Sequence, residues 1–147
     1  MMPKHTPGEA QAELARILAA HAGRDGALLP ILHDVQAALG HVSEDTVRAI
    51  AEALNLSRAE VHGVVSFYHD FHAQPADRPV IKLCRAESCQ ARGSEALAAS
   101  VAGETRVRIE AVYCLGLCSV GPNALVGDEL YARLDPARLA ALVERAA

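Results

Sequence analysis

Four cysteines in two close pairs constrain this chain more than any other feature of it. Four residues separate Cys84 from Cys89, 24 separate Cys89 from Cys114, and three separate Cys114 from Cys118. Each pair follows a short β-prone run. Val80 to Leu83 leads into Cys84, while Val107, Ile109 and Ala111 alternate with Arg108 and Glu110 ahead of Cys114. Strands that end at one edge of a sheet deliver their following loops together, so the spacing predicts four thiols converging on one point. Such a set can supply two sulfur ligands to each iron of a [2Fe–2S] rhomb.

Other cysteine chemistries fit less well. A structural zinc ion also takes four thiolates, but its sites usually show tighter Cys-x-x-Cys pairs and support smaller folds; the residues by themselves leave zinc open, with a non-redox interaction module as its consequence. Disulfides suit secreted proteins, whereas Met1 to Ala20 lacks a basic start followed by an apolar stretch, which makes the cytoplasm the expected compartment. Thiol–disulfide catalysis of the thioredoxin kind needs Cys-x-x-Cys, and there is none. The seven histidines, His5, His21, His33, His41, His62, His69 and His72, all lie outside the cysteine pairs, which disfavours a mixed Cys/His centre. His69 and His72 read as interface or solvated residues. No glycine-rich phosphate loop or Ser/His/Asp set stands out, so no substrate site is expected on this chain alone. With 14 Lys and Arg against 18 Asp and Glu, the formal charge of −4 offers no attraction to nucleic acid or anionic lipid. No apolar run approaches the roughly 20 residues that span a bilayer, so direct membrane insertion is not expected.

The first half reads as a series of helices, in keeping with a composition that is 51% apolar but only 3% aromatic. Ala10, Leu14, Ile17 and Leu18 form one stripe, and Leu28, Ile31, Leu32, Val35 and Leu39 form a second that stops at Gly40. Ser43 caps a third helix carrying Val47, Ile50, Ala51 and Leu54. Ser57 and Glu60 make a capping box before Val61, Val64 and Val65. The aromatic run at Phe67, Tyr68 and Phe71 is expected to end that helix and pack on the next domain, with the surface around Phe67 contributing to docking. Residues 1–8, with two prolines and a glycine, read as a loose arm. Pro75 and Pro79 then mark a change of texture, which places an N-terminal helical domain at 1–75 and a second domain at 76–147.

In that second domain Ser94 to Ala102 reads as a helix, Asn123 to Val126 and Glu129 to Ala132 as a hairpin around Gly127-Asp128, and Asp135-Pro136 as the cap of a final helix with Leu139, Leu142 and Val143. Strand, helix, strand, hairpin and helix predict an α/β unit, a small mixed sheet flanked by helices. Around the cysteines, Gly116 and Gly121 are expected to permit turns that aim N–H groups at sulfur. Leu115, Leu117 and Val120 read either as a cover that excludes water or as plain core residues, and Arg85 and Arg92 either as offsets to negative charge or as solvated arginines.

Cys84-Arg-Ala-Glu-Ser-Cys89 and Cys114-Leu-Gly-Leu-Cys118-Ser-Val-Gly-Pro122, preceded by Val64-Val-Ser-Phe-Tyr68, resemble the thioredoxin-like [2Fe–2S] ferredoxin family over nearly the whole chain. That family includes the small flavin-partner subunit of respiratory complex I, the matching subunit of NAD-reducing hydrogenases and the gamma subunit of molybdenum-dependent, NAD-dependent formate dehydrogenases. The resemblance implies a helical bundle joined to a thioredoxin-like domain. It also implies one [2Fe–2S] cluster, with Cys84 and Cys89 on one iron and Cys114 and Cys118 on the other. The implied role is electron transfer as a subunit of an NAD-linked oxidoreductase. The Cys84–Cys89 loop and the compact length look most like the formate dehydrogenase gamma subunit. In such a complex the partners are an FMN- and NAD-binding iron–sulfur subunit and a large subunit carrying the molybdenum cofactor.

Overall fold

A computed structural model describes residues 5–147. The chain divides into two compact units, Met1–Ala76 and Asp77–Ala147.

The first unit is helical: α1 Pro7–Ala20, α2 Leu28–Leu39, α3 Glu44–Leu54 and α4 Arg58–Phe67. Local chemistry sets these boundaries. The Thr6 and Ser57 side chains each accept a hydrogen bond from the backbone N–H three residues on, while Glu9 and Glu60 reach back to the cap, closing two capping boxes. Ser43 caps α3 through the N–H of Thr46, and α2 stops at Gly40, whose φ of 77° favours a residue without a Cβ. Helical periodicity turns Ile17, Ile31, Leu32, Val35, Val47, Ile50 and Val61 inward to one core.

Two expectations need correcting here. Of the proposed loose arm, residues 1–4 lie outside the described residues, but Thr6 is a helix cap and Pro7 and Gly8 already belong to α1. Proline at the first helical position loses no hydrogen bond, so it starts this helix. The aromatic run also divides. Phe67 and Tyr68 are 73% and 39% exposed, whereas Phe71 is buried in its own unit's core with its ring 5.0 Å from that of His33. The chain there is tied down by Val42 N–H to His72 C=O at 2.7 Å and by His72 N–H to Gln36 Oε1 at 2.9 Å.

The second unit comprises β1 Val80–Cys84, α5 Glu87–Ala91, α6 Ser94–Ser100, β2 Arg108–Val112, β3 Ala124–Val126, β4 Glu129–Tyr131 and α7 Pro136–Ala146. Its mixed sheet has the order β2-β1-β3-β4. β1 runs parallel to β2, with Val80 opposite Arg108 and Cys84 opposite Val112, and antiparallel to β3, with Ile81 opposite Val126. Ile81 and Leu83 alternate with Lys82 and meet Leu97 of α6 and Leu139 and Val143 of α7 in a second core. Short α5 was not anticipated, because five residues carry too little periodicity to be read as a helix.

Two outcomes test this packing. Leu83 is fully buried on the strand that leads into Cys84, so Leu83→Ala should lower unfolding free energy by roughly 2–5 kcal/mol in chemical denaturation. Side-chain hydrogen bonds from Arg106, at 2.8 and 3.0 Å, and the Arg106 N–H at 2.7 Å hold the Glu104 carboxyl down to about 2. The stability this contact contributes is therefore fully present above the ordinary glutamate range and is lost as pH falls through about 2. NMR titration of Glu104 should find its midpoint there, and Arg106→Gln should move it back up.

Candidate metal centre

The register of β1 against β2 brings their C-terminal ends side by side. Cys84 is the last residue of β1, and its N–H donates to Asn123 C=O at 2.9 Å. The next residue, Arg85, donates its N–H to Val112 C=O at 2.8 Å, which keeps the two strands together as they end. Cys89 sits inside α5 rather than on a loop, and both it and Cys84 are 1% exposed. Cys114 follows β2 by two residues, and Cys118 opens a single 3-10 turn, Cys118–Val120; both are exposed. Ser88 of α5 donates its hydroxyl to Cys118 C=O at 2.9 Å and so bridges the two cysteine segments.

Within the second pair the Cys114 and Cys118 sulfurs are 3.6 Å apart. Two thiolates on one tetrahedral metal, with bonds of about 2.3 Å, stand about 3.8 Å apart, so this spacing fits a shared metal atom. In the first pair both sulfurs are buried, and each shifts the other's proton affinity. Among the described residues no three His, Cys, Asp or Glu side chains surround a single ion position. The arrangement is two pairs rather than one tetrad.

The electrostatics of the four sulfurs differ. Burial acts to raise the Cys84 thiol, but the N–H groups of Ala86, Cys114 and Leu115, together with the Cys89 thiol, outweigh it and leave Cys84 below the ordinary thiol range. Cys89 is pushed up by burial and by the Cys84 sulfur, and Cys118 by its hydrogen bond to Cys114 and that neighbour's charge. One sulfur is eased toward its anionic form while two others are pushed away from it. A cation among them relieves that conflict, since metal binding displaces protons from thiols. This donor set, half sheltered and backed by N–H groups, fits a [2Fe–2S] cluster.

The neighbouring residues depart from expectation in instructive ways. Gly116 has φ of 78°, as a turn glycine should, and Cys114 adopts a similar φ of 79° although it carries a Cβ, a conformation that costs about 1–3 kcal/mol. Gly121 has an ordinary φ of −66°. Space is what requires a glycine there, because a Cβ would lie 2.9 Å from Cys89 Sγ. Arg85 is matched by Glu95, donating from Nε at 2.8 Å and from Nη2 to the other oxygen, so its charge is already balanced. Arg92 lays its stem over Gly121, with Cδ 3.4 Å from the place a Cβ would occupy. Leu115, Leu117 and Val120 are half-buried. Asn123, buried and bonded to Cys89 Sγ, was not anticipated as part of the site. The one sequence signal for it was an amide where a hairpin strand enters the core.

Gly121→Ala should therefore lower iron uptake on reconstitution several-fold, with the helical content of the chain retained by circular dichroism.

Comparison with known proteins agrees with this geometry. The profile of the thioredoxin-like [2Fe–2S] ferredoxins matches residues 14–147. The chain is 32% identical over 143 residues to a subunit of the NADH-quinone oxidoreductase of Rhizobium meliloti (strain 1021), covering 90% of this chain and 85% of that one. It is 24% identical over 151 residues to the HndA component of the NADP-reducing hydrogenase of Solidesulfovibrio fructosivorans, covering 94% and 88%. Among solved structures, an NAD+-reducing [NiFe]-hydrogenase in the air-oxidized state superposes with a TM-score of 0.67 at 26% identity. That match takes in 81% of this chain and 22% of the hydrogenase chain. The matched profile spans both helical and sheet-bearing units and all four cysteines: the chain belongs to the thioredoxin-like [2Fe–2S] ferredoxin family.

Proposed function

We propose that Cys84, Cys89, Cys114 and Cys118 hold one [2Fe–2S] cluster, the first two on one iron and the last two on the other, and that the chain serves as an electron-transfer subunit of an NAD-linked oxidoreductase. The observation that carries this reading is the delivery of two cysteine pairs to one sheet edge by the parallel register of β1 and β2. When bound, the cluster supplies a one-electron couple. The protein's own residues supply the rest. Thiolates anchor the metal, and N–H groups stabilise charge on sulfur. Half-buried Leu115, Leu117 and Val120 limit water at the loop. No helix among the described residues is long and apolar enough to cross a membrane, in keeping with attachment through partner subunits.

Our finer reading places the chain beside an FMN- and NAD-binding subunit in a molybdenum-dependent formate dehydrogenase. It rests on the Cys84-Arg-Ala-Glu-Ser-Cys89 loop. The two curated relatives named above belong to quinone-linked and hydrogen-linked enzymes. Affinity capture from the native host decides: a molybdenum-bearing large subunit identifies formate dehydrogenase, a nickel subunit a hydrogenase, and membrane-arm proteins complex I.

The metal centre has its own test. Anaerobically purified chain should contain iron and sulfide in equal amounts and give a rhombic EPR signal on one-electron reduction, and Cys84→Ser or Cys118→Ser should remove most of it. Stoichiometric zinc without iron would overturn the reading in favour of a zinc-stapled interaction module.

A further inference from the structure

Asn123 is 1% exposed and sits where all the cysteine segments meet. Its side-chain Nδ2 donates to Leu117 C=O at 2.8 Å and to Cys89 Sγ at 3.6 Å. Its backbone carbonyl accepts the Cys84 N–H at 2.9 Å. Leu117 lies in the loop between Cys114 and Cys118, directly before the second of them. One residue thus holds the buried pair and the exposed pair in a common frame. The amide can face only one way, because a carbonyl accepts and cannot donate, so the group toward Leu117 C=O must be the N–H side. Its Oδ1 is buried with no hydrogen-bond partner among the described residues.

That unmatched oxygen bears on why an asparagine stands here. A leucine has similar volume and would fill the same space without burying an orphan acceptor, so packing alone does not account for the amide. What the amide adds is a pair of N–H groups, one on the Cys114–Cys118 loop and one on a cysteine sulfur.

We propose that Asn123 is a positioning residue of the metal centre, an amide clamp that holds the two cysteine pairs in register and raises the reduction potential of the cluster they bind. The proposal rests on the metal-centre reading above. An N–H directed at a ligand sulfur stabilises the more negative, reduced state more than the oxidised one, so removing it makes reduction harder.

The test is an EPR-monitored redox titration of reconstituted wild-type chain, N123L and N123D. N123L keeps the bulk and loses the donor; N123D keeps the shape and puts an acceptor in the donor's place. For both, the reduced-to-oxidised ratio at a fixed potential should fall about tenfold, which is about 59 mV for a one-electron couple. In deuterium oxide, N123L should also lose a hyperfine coupling from an exchangeable deuteron. A purely structural role would move neither readout while the cluster is bound. If both variants keep wild-type secondary structure but take up no iron, the clamp is supported as a requirement for assembling the site. Iron-loaded variants with an unchanged potential and unchanged deuteron coupling overturn this proposal alone. A wild-type chain that binds no iron overturns the metal-centre reading, and this one with it.

Discussion

The parallel pairing of β1 with β2 is the arrangement on which the rest of the second unit depends. Because the strands run the same way, Cys84 and Cys114 leave the sheet at one edge. Had they paired antiparallel, the second pair would have been delivered to the far end of a five-residue strand, about 16 Å away. Parallel pairing needs a crossover long enough to return the chain to its starting edge, and here α5 and α6 provide it. The connection that makes the strands parallel also carries Cys89. Topology and cysteine placement are one decision in this fold.

The parts of the structure that local chemistry decides could be read from the residues in order. Ser43, Ser57 with Glu60, Gly40 and Asp135 followed by Pro136 each announce a helix boundary through their own hydrogen bonds or dihedral angles, and each stands at one. The β-prone run from Val80 to Leu83 and the Gly127-Asp128 turn were legible for the same reason. Thr6 and Glu9 carry an equally local signal, a capping box, but two prolines and a glycine nearby give the segment the texture of a loose arm.

Long-range contacts were not legible. Nothing beside Gly121 in sequence reveals that the Cys89 sulfur lies where its Cβ would be. Nothing beside Asn123 reveals that a loop carbonyl and a buried sulfur await its amide. Phe71 looks like part of an aromatic run that packs on the next domain, yet it lies in the helical core against His33, beside backbone bonds at His72. Delivery of both cysteine pairs to one edge of the sheet could be inferred from strand placement. The division into a buried and an exposed pair could not, because it depends on α5 covering one side.

The sheet order leaves β2 and β4 at the two rims, each with a row of backbone groups that another strand could pair with. Neither rim invites this. β4 is three residues long, with Glu129 at its start and the Arg145 guanidinium 5.0 Å over the Tyr131 ring. β2 sets Arg108 and Glu110 along its length, with Asp77 within ion-pair reach of Arg108. Charge and brevity at the margins discourage copies of this sheet from joining into a continuous one. A neighbouring copy would meet charge at one margin and only three residues of strand at the other.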